Sequence, residues 1–559
     1  MIGFVYCNQF QRTVILQVGF AAEAEIPFRT AQRWVALYRK FGFLKMNNTK
    51  GEESMNKGSG ATASVWMTTT EMPSRPALVT DITADVCVVG AGIAGLTTAY
   101  LLAEEGRSVV VLDDGPIGGG ETSRTTAQLV SALDDRYFDI ESMHGAKGAK
   151  LAAASHTAAI DRVEAIVARE KIECDFERLD GYLFVPPGES TDVIDKELTA
   201  AHRAGLMDIE RVERAPLGHF DTGACLRFPR QAQFHPLKYL DGLTQAIEKK
   251  GGRIFNNTHA KTFKSGEPGQ VTTSKGLVVS AGAIVVATNT PVNDWVTIHT
   301  KQAAYRTYVI GMPVPKGTVT RALFWDTPDP YHYVRLHDAG NHEVLIVGGE
   351  DHKTGQADNA DERFDRLETW TRERFPTAEE VTLRWSGQIM EPIDSLAFIG
   401  RNPGDKNIYV VTGDSGNGMT HGTIAGILLT DLLMGRENEW TTLYDPSRIS
   451  LRAAPEFAKE NLNVAAQYGD YATAGDVEKA DDLAAGTGGV IRHGLKKVAA
   501  YRDAHGKLHE CSAVCPHLGG VVHWNHTEKT WDCPCHGSRF DPYGKVLNGP
   551  ANTGLGPAE

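Results

Sequence analysis

The sequence lacks the features that mark three large classes of protein. No stretch of about 18 or more uninterrupted apolar residues occurs, so a transmembrane helix is not expected. The amino-terminal segment has neither a basic start nor a small-residue cleavage site, so a secretory signal is not expected. Acidic residues exceed basic ones by 70 to 57, and the net charge of −13 argues against nucleic acid as a partner. We therefore expect a cytoplasmic protein, with at most peripheral contact with a membrane.

Cysteine is also scarce, and its eight copies are unevenly placed. Four are scattered along the chain: Cys7, Cys87, Cys174 and Cys225. The other four cluster near the carboxyl terminus: Cys511, Cys515, Cys533 and Cys535. This distribution is not that of a disulfide framework. It indicates a reducing compartment and one local metal site.

The length of 559 residues exceeds one ordinary hydrophobic core, so we expect two or more domains. Changes in composition and pattern divide the chain into five segments. They are an amino-terminal extension (1–54), an extended lead-in (55–84), an α/β domain with an inserted β-sheet (85–444), a part-helical, part-polar linker (445–471) and a small all-β domain (472–559).

The amino-terminal extension differs from the rest of the chain. Residues 21–43 have helical periodicity and resemble the helix-turn-helix of transposases, which implies a DNA-binding arm. The competing interpretation, which we favour, is a start codon assigned too early. Residues 50–53 require purine-rich codons, which could include a ribosome-binding site just before Met55. Sequencing the amino terminus of the native protein tests this, and a start before Met55 would contradict it.

The start of the α/β domain has the pattern of a dinucleotide-binding unit. A short apolar strand precedes Gly90, Gly92 and Gly95, which form G-x-G-x-x-G, and a helical pattern follows. The glycines allow a tight turn, close approach of the backbone to a pyrophosphate, and helix–strand packing. Asp113, at the end of the next strand, can accept hydrogen bonds from an adenosine ribose. The helix amino terminus offers free N–H groups to the phosphates.

Two later segments favour FAD over NAD. The first follows the second strand, where Arg124, Thr125 and Thr126 can supply a cation and hydroxyl donors. The second reads as a strand, a glycine-rich turn and an apolar helix that begins near Gly418, Met419 and Thr420. The positive end of that helix would face the negatively charged pyrimidine end of a reduced flavin.

At these residues the chain resembles the D-amino-acid-oxidase-like family of FAD-dependent oxidoreductases, from about residue 85 to 444. The segments that carry the resemblance are 90–95, 233–243, 283–294 and 412–422. The family implies tightly bound FAD and two-electron oxidation of amines, amino acids or similar C–N or C–O substrates. We find no second G-x-G-x-x-G after a strand, so electrons are expected from a small organic substrate rather than from a nicotinamide.

The carboxyl-terminal cluster offers two cysteines and two histidines as metal ligands, in two halves. Cys515 and His517 form C-x-H, and Cys533 and His536 form C-x-x-H. Structural zinc could take such a set, but zinc fingers usually pair cysteine with cysteine. A Rieske [2Fe–2S] centre takes one cysteine and one histidine from each of two loops. The flanking sequence closely resembles Rieske domains, which makes the four residues cluster ligands by resemblance.

Rieske domains also occur in mononuclear-iron oxygenases. There the Rieske domain usually comes first, whereas here it is carboxyl-terminal and follows a flavin-like domain, so we set that class aside. His523 and His526, between the two halves, have no partner spacing and are interpreted as surface or turn histidines.

Departures from the respiratory Rieske proteins predict a lower reduction potential, within the Rieske range of about −150 to +300 mV. Gly520 stands where those proteins have a cysteine bonded to the counterpart of Cys535, and Cys511 is badly placed to replace it. Phe540 stands at their tyrosine, so one hydrogen bond to a ligand cysteine is lost. Ser538 matches the serine that bonds a bridging sulfide, and Gly549–Ala551 matches the loop that covers the cluster.

Together these features predict an FAD-dependent enzyme that oxidises an amine-like substrate and sends electrons singly through the cluster to an external protein or quinone. Arg335 could clamp a substrate carboxylate, and Tyr333 and His421 could carry protons, although structural roles are favoured for all three. One alternative is an electron-transfer protein between protein partners, which a closed cleft without polar groups would favour. Another is an assembly or regulatory protein that keeps its cofactors for structure.

Overall fold

The computed structural model describes residues 58–293, 298–494 and 496–558, so the prediction for residues 1–54 lies outside the described residues. The α-helices in these ranges are Val65–Thr69 (α1), Ile93–Glu104 (α2), Tyr137–Glu170 (α3, interrupted at Gly145), Asp192–Arg203 (α4), Pro236–Lys249 (α5), Ala360–Arg374 (α6), Gly418–Leu433 (α7), Thr441–Tyr444 (α8) and Ala454–Gln467 (α9).

The strands of the flavin-like region are Ile82–Val89 (β1), Val109–Leu112 (β2), Gln128–Leu129 (β3), Glu177–Phe184 (β4), Glu210–Val212 (β5), Cys225–Gln233 (β6), Arg253–Phe255 (β7), Ala260–Lys264 (β8), Gly269–Thr273 (β9), Val278–Val286 (β10), Gln302–Val314 (β11), Leu323–Asp326 (β12), His332–Asp338 (β13), Glu343–Lys353 (β14), Leu383–Pro392 (β15), Phe398–Arg401 (β16) and Ile408–Thr412 (β17). Those of the carboxyl-terminal region are Thr487–His493 (β18), Lys496–Arg502 (β19), Leu508–Ser512 (β20), His523–Asn525 (β21), Thr530–Asp532 (β22), Arg539–Phe540 (β23) and Val546–Asn548 (β24).

The first sheet has a parallel centre that carries the dinucleotide loop. Its main order is β16-β17-β10-β1-β2-β7, and the neighbours from β17 to β7 run parallel. Strands buried on both faces need continuous apolar runs, which β1, β2 and β10 supply. Helices α2 and α7 pack closely, because a Cβ on Gly426 would lie 2.6 Å from the Thr97 side chain.

The second sheet is the inserted one. Its order is β15-β11-β14-β13-β12-β4-β6-β3, with β5 beside β6, and its long strands β11, β14 and β15 are antiparallel neighbours. One apolar core lies against this sheet around Phe324, Phe364 and Leu345. Val309, Leu323 and Ile346 of this sheet belong to the main core, which also contains residues of β1 and β2, so the two sheets pack around one core.

The carboxyl-terminal region is a separate all-β unit with its own core. Strands β18–β20 form one antiparallel sheet and β21–β24 form another. The core includes Trp531 and Phe540 together with the clustered cysteines. The predicted fold class, an α/β domain with an inserted sheet plus a small all-β domain, is confirmed.

The lead-in differs from the extended segment that the sequence suggested. Its described part contains the short helix α1, which Ser64 caps, and Trp66 in that helix is fully buried. Five residues are too few to show helical periodicity, which explains why the pattern was missed. In the part of the chain that the structure describes, no helix combines the length and apolarity needed to cross a membrane.

Candidate functional site

The dinucleotide loop has the geometry that its glycines allow. Gly90 adopts φ +106°, in the left-handed region, and a Cβ there would collide with the carbonyl of Ala287. Helix α2 begins directly after Gly92, and the Ile93 N–H donates to the Thr122 hydroxyl at 3.1 Å. The loop thus brings a helix amino terminus to the end of β1, where a phosphate could bind.

Asp113 lies beside this loop at the end of β2. Its carboxylate accepts hydrogen bonds from the backbone N–H groups of Ala91, at 2.7 Å, and Gly115, at 2.8 Å. Burial and the neighbouring Asp114 raise the pKa of Asp113 to about 7. The side chain keeps partial exposure, so it remains available to a ribose hydroxyl. The glycine loop, the amino terminus of α2 and Asp113 therefore fit the adenosine half of FAD.

The structure directs the side chain of Arg124 away from the cofactor role expected of it. The guanidinium is fully buried and donates to Glu528 at 3.1 Å and to the carbonyls of Thr62 and Ser386. A buried cation is far more stable beside a buried carboxylate than alone, which explains the placement. The guanidinium is therefore committed to these partners and is not available as the cation expected to serve the cofactor.

The other predicted flavin-contacting residues, Thr125, Thr126 and Thr420, bond to nearby residues of the same region. The Thr125 hydroxyl accepts from the Ala127 N–H at 3.0 Å, and the Thr126 carbonyl accepts from Arg335. The Thr420 hydroxyl bonds both backbone groups of Val130 at 3.3 Å. These contacts join the segment around residues 124–130 to the start of α7.

Helix α7 begins at the end of a short glycine-containing turn. Met419 is buried in the main core, and Gly418 is needed because a Cβ there would lie 2.6 Å from the Asp414 carboxylate. The turn from Thr412 to Gly418 is held by the Thr412 hydroxyl, which donates to the carbonyl of Asn289 at 2.6 Å. It thereby places the positive end of α7 at the edge of the dinucleotide sheet.

Two of the three candidate catalytic side chains are committed to packing. His421 is 2% exposed, donates from Nδ1 to the Asp414 carbonyl at 2.8 Å, and contacts the ring of His156. Burial lowers the pKa of His421 well below its usual value. Arg335 donates to the carbonyls of Thr126, Ala127 and Phe234. Burial lowers the pKa of Arg335 to about 9. Neither side chain is placed to serve a substrate.

Tyr333, by contrast, is partly exposed, and its hydroxyl lies 2.6 Å from that of Thr307. Both residues project from the inserted sheet, on β13 and β11. Burial raises the pKa of Tyr333 well above its usual value, and the carboxyls of Asp351 and Asp134 add to the effect. Tyr333 therefore remains a candidate hydrogen-bond donor in a cleft rather than an ionised base.

Sequence reasoning missed the acidic residues around Tyr333. Carboxyls from four separated stretches of chain interact there: Asp134, Asp135, Asp351, Glu391 and Asp414. Burial raises the pKa of Asp134 to about 7 and those of Asp351 and Asp414 to about 6. All five keep partial exposure although protein surrounds them, as expected of a cleft wall. The only signal in sequence is the pair Asp134–Asp135 after a strand, which is too weak to predict a site.

At the carboxyl terminus, two hairpin loops bring the four predicted cluster ligands together. In the first loop the Cys515 N–H donates to the Gly520 carbonyl at 2.8 Å, and in the second the Cys533 N–H donates to the Ser538 carbonyl at 2.8 Å. The rings of His517 and His536 lie 5.1 Å apart, centroid to centroid. One cysteine and one histidine from each loop fit a Rieske cluster.

The surroundings of the four ligands match the departures seen in the sequence. A Cβ on Gly520 would lie 2.5 Å from the Cys535 sulfur, so these two positions face each other as a disulfide pair would. Cys535 is a free thiol, and Cys511 points to the Ala499 carbonyl instead. The Ser538 hydroxyl accepts from the Ala551 N–H at 3.0 Å, which fixes the covering loop.

The two unassigned histidines have structural partners, as interpreted. His523 contacts Asp470 at 3.0 Å and His526 contacts Asp358 at 2.6 Å. The nearby carboxylates raise the pKa of His526. A third histidine, His299, which the sequence did not single out, lies against the rings of His517 and His536.

A buried ionic network holds the all-β unit on the flavin-like domain. Three arginines and three carboxylates alternate within it: Arg124, Arg306, Arg539, Glu121, Glu528 and Asp532. Arg124, Arg306 and Glu121 belong to the flavin-like domain and the other three to the all-β unit. Equal numbers of opposite charges, nearly all closed to solvent, indicate a fixed docking rather than a loose tether.

Comparison with known proteins agrees with both halves of this description. The family model of FAD dependent oxidoreductases matches residues 85–432, and that of the Rieske [2Fe-2S] domain matches residues 474–557. Both cofactors, FAD and a Rieske [2Fe–2S] cluster, follow from these matches.

Relatives are found for the whole chain and for its larger part. YhfW of Bacillus subtilis (strain 168), whose name describes a Rieske 2Fe-2S iron-sulfur protein, is 32% identical over 87% of this chain and 95% of its own. Gamma-glutamylputrescine oxidoreductase of Escherichia coli (strain K12) is 29% identical over 63% of this chain and 84% of its own. Glycine oxidase from Geobacillus kaustophilus shares the fold with a TM-score of 0.57 at 18% identity, over 66% of this chain and 99% of its own.

Proposed function

Because the chain belongs to the FAD dependent oxidoreductase family and carries a carboxyl-terminal Rieske domain, we propose that it oxidises a small organic amine and passes the electrons one at a time to an external acceptor. The cluster ligands in this proposal are Cys515, His517, Cys533 and His536. FAD is held by the loop around Gly90, Gly92 and Gly95, by Asp113, and by the backbone at residues 124–126 and 418–420.

The observation that carries the proposal is that strand β15 reaches from the carboxyl cleft to the second cluster loop. Gln388 on β15 donates to the carbonyl of Gly537, in the second cluster loop, at 3.0 Å. Three residues further along β15 is Glu391, one of the cleft carboxyls. Thr307, which bonds Tyr333 in the cleft, lies on the neighbouring strand β11. Since a strand advances only about 3.4 Å per residue, the contact with the cluster loop and the cleft carboxyl lie close together on the same strand.

The carboxyls of the cleft support an amine as the substrate class. A protonated amine entering beside Asp134 and Asp351 would gain charge-assisted hydrogen bonds and draw their pKa values down. The E. coli relative is named for gamma-glutamylputrescine, which contains amino groups, and we extend to this chain only the amine class. A protein that merely relays electrons between partners would not need such polar groups beside its flavin.

The bound cofactors supply the redox chemistry: the flavin accepts a hydride equivalent, and the cluster accepts single electrons. The protein's own residues orient the substrate and shield it from solvent. Tyr333 and Thr307 offer hydroxyls to the substrate, and the carboxyls set its position by charge. Hydride leaves only from a neutral amine, so the proton of a bound ammonium group would first pass to an ionised cleft carboxylate such as Asp134 or Asp351, and positioning then matters more than a strong base.

Anaerobic mixing with a panel of amines, amino acids and hydroxy acids tests the proposal. We expect an amine to bleach the flavin absorbance first and the cluster to become reduced afterwards, as followed by electron paramagnetic resonance (EPR). The variant Cys533→Ser, without a cluster, should keep the first phase and lose the second. Bleaching by hydroxy acids alone would contradict the amine class. A flavin that is reduced while the cluster stays oxidised would contradict the electron route.

A further inference from the structure

A histidine of the flavin domain lies against the proposed histidine ligands of the cluster. His299 opens the short 3-10 helix His299–Lys301, directly before β11. Its ring centroid is 4.9 Å from that of His517 and 6.1 Å from that of His536, and both pairs meet edge to face. The three side chains are 2%, 7% and 5% exposed. The histidine side of the cluster is therefore closed to solvent and faces the flavin domain.

The segment that carries His299 is also tied to the flavin cleft. Gln302, three residues later, accepts a hydrogen bond from the Thr412 hydroxyl at 3.1 Å. Thr412 begins the turn that leads to α7, whose positive end we place at the flavin. The Lys301 carbonyl accepts from the Ile393 N–H at 2.9 Å, two residues after the cleft carboxyl Glu391. His299 thus contacts both cluster histidines from a segment that is itself bonded to the turn before α7 and to the residues after β15.

From this geometry we infer that His299 is the contact through which electrons pass from the flavin to the histidine side of the cluster. The inference rests on the proposed function and adds to it the side by which electrons enter. In each electron transfer the reduced flavin would lose one electron, and one ferric ion of the cluster would be reduced to ferrous. A second electron transfer would follow once a one-electron acceptor has reoxidised that iron, and His299 itself is unchanged.

The physical basis is the filled space between donor and acceptor. Electron transfer slows steeply as the gap between the two groups widens or loses its bridging atoms. The imidazole of His299 fills the space beside the two ligand rings on their flavin-domain side, and groups in contact with metal ligands tune the centre they hold. Removing the ring opens a gap at that point and leaves both cofactor sites otherwise intact.

Flash photoreduction of the flavin in the holoprotein, with a deazaflavin and without oxygen, measures this step without the natural substrate. Flavin and cluster are followed by absorbance and EPR in wild type, His299→Ala and His299→Phe. We expect cluster reduction in His299→Ala to slow by about 10- to 100-fold, as for loss of other groups that contact metal ligands. His299→Phe refills the space and should stay close to the wild-type rate. The EPR spectrum of the reduced cluster should shift in His299→Ala.

His332→Ala is the matched control, since that buried histidine of the inserted sheet stacks on Trp370 instead. An unchanged rate in His299→Ala, or equal slowing in His332→Ala, overturns the inference and leaves the proposed function standing. A wild-type cluster that is never reduced after the flavin overturns the proposed function instead. If His299→Ala does not retain its cluster, His299→Ser takes its place, since it also leaves the space unfilled, and an unchanged rate there is equally decisive.

Discussion

At the scale of single residues, Phe540 lacks the hydroxyl that the tyrosine of the respiratory Rieske proteins has at the matching position. Phe540 is fully buried in the core that contains the ligand cysteines. We expect Phe540→Tyr to raise the reduction potential, because a hydroxyl donor to a ligand sulfur stabilises the reduced, more negative cluster. One hydrogen bond of about 0.5–1.5 kcal/mol corresponds to roughly 20–65 mV for one electron. Redox titration followed by EPR measures it, and an unchanged or lower potential would contradict the account.

Gly520 allows a second test at this scale. A Cβ there would lie 3.4 Å from the Cβ of Cys535, close to the range of about 3.5–4.5 Å found in disulfides. We expect Gly520→Cys to form a disulfide with Cys535 in the oxidised protein, detectable as a linked peptide by mass spectrometry. Gly519→Cys is the control, since its Cβ would point towards the Tyr471 hydroxyl at 4.0 Å. Free thiols at both positions of Gly520→Cys would disprove the facing geometry.

At the scale of secondary-structure elements, what could be read from the sequence was local. The strand, glycine loop and helix from Val86 to Glu104 are continuous in sequence, so their spacing predicted them. The two ligand loops are also continuous, and their spacing together with the resemblance to Rieske domains predicted the cluster. The partner of Arg124 could not be predicted, because Glu528 is 404 residues away. The cleft carboxyls were missed for the same reason, since tertiary packing brings four stretches of chain together.

That carboxyl cleft makes a prediction about pH. Burial, the largest effect, raises the pKa of Asp134 from 3.8 to about 7 in the folded protein. The protonated form therefore stabilises the fold fully below about pH 4, and this contribution is lost as the pH rises through about 7. Relative to Asp134→Asn, the free energy of unfolding of the wild type should fall over this range. Urea denaturation across it measures the difference, and a difference independent of pH would refute the shift.

At the scale of the whole molecule, the buried ionic network decides whether the two centres stay at a fixed separation. Glu528 is its middle member and is closed to solvent. Burial opposes its charge, yet the guanidinium groups of Arg124, Arg306 and Arg539 hold the pKa of Glu528 at about 2. Its stabilising effect therefore persists at neutral pH and is lost only as the pH falls towards 2. A fixed separation is what electron transfer through His299 requires.

Glu528→Gln tests this docking, because it removes the charge and keeps the shape. Leaving buried arginines without their carboxylate should lower the free energy of unfolding by about 3–5 kcal/mol. The control Asp195→Asn removes one partner of the exposed pair with Arg211 and should cost about 0–1 kcal/mol. Denaturant unfolding followed by tryptophan fluorescence and by the visible circular dichroism of the cluster gives both values.

We expect photoreduced flavin in Glu528→Gln to reduce the cluster more slowly while the cluster spectrum is retained, since the docking loosens before either domain unfolds. Equal stability losses in the two variants would mean that the network does not fix the domains, and the Rieske domain would then have to be treated as mobile.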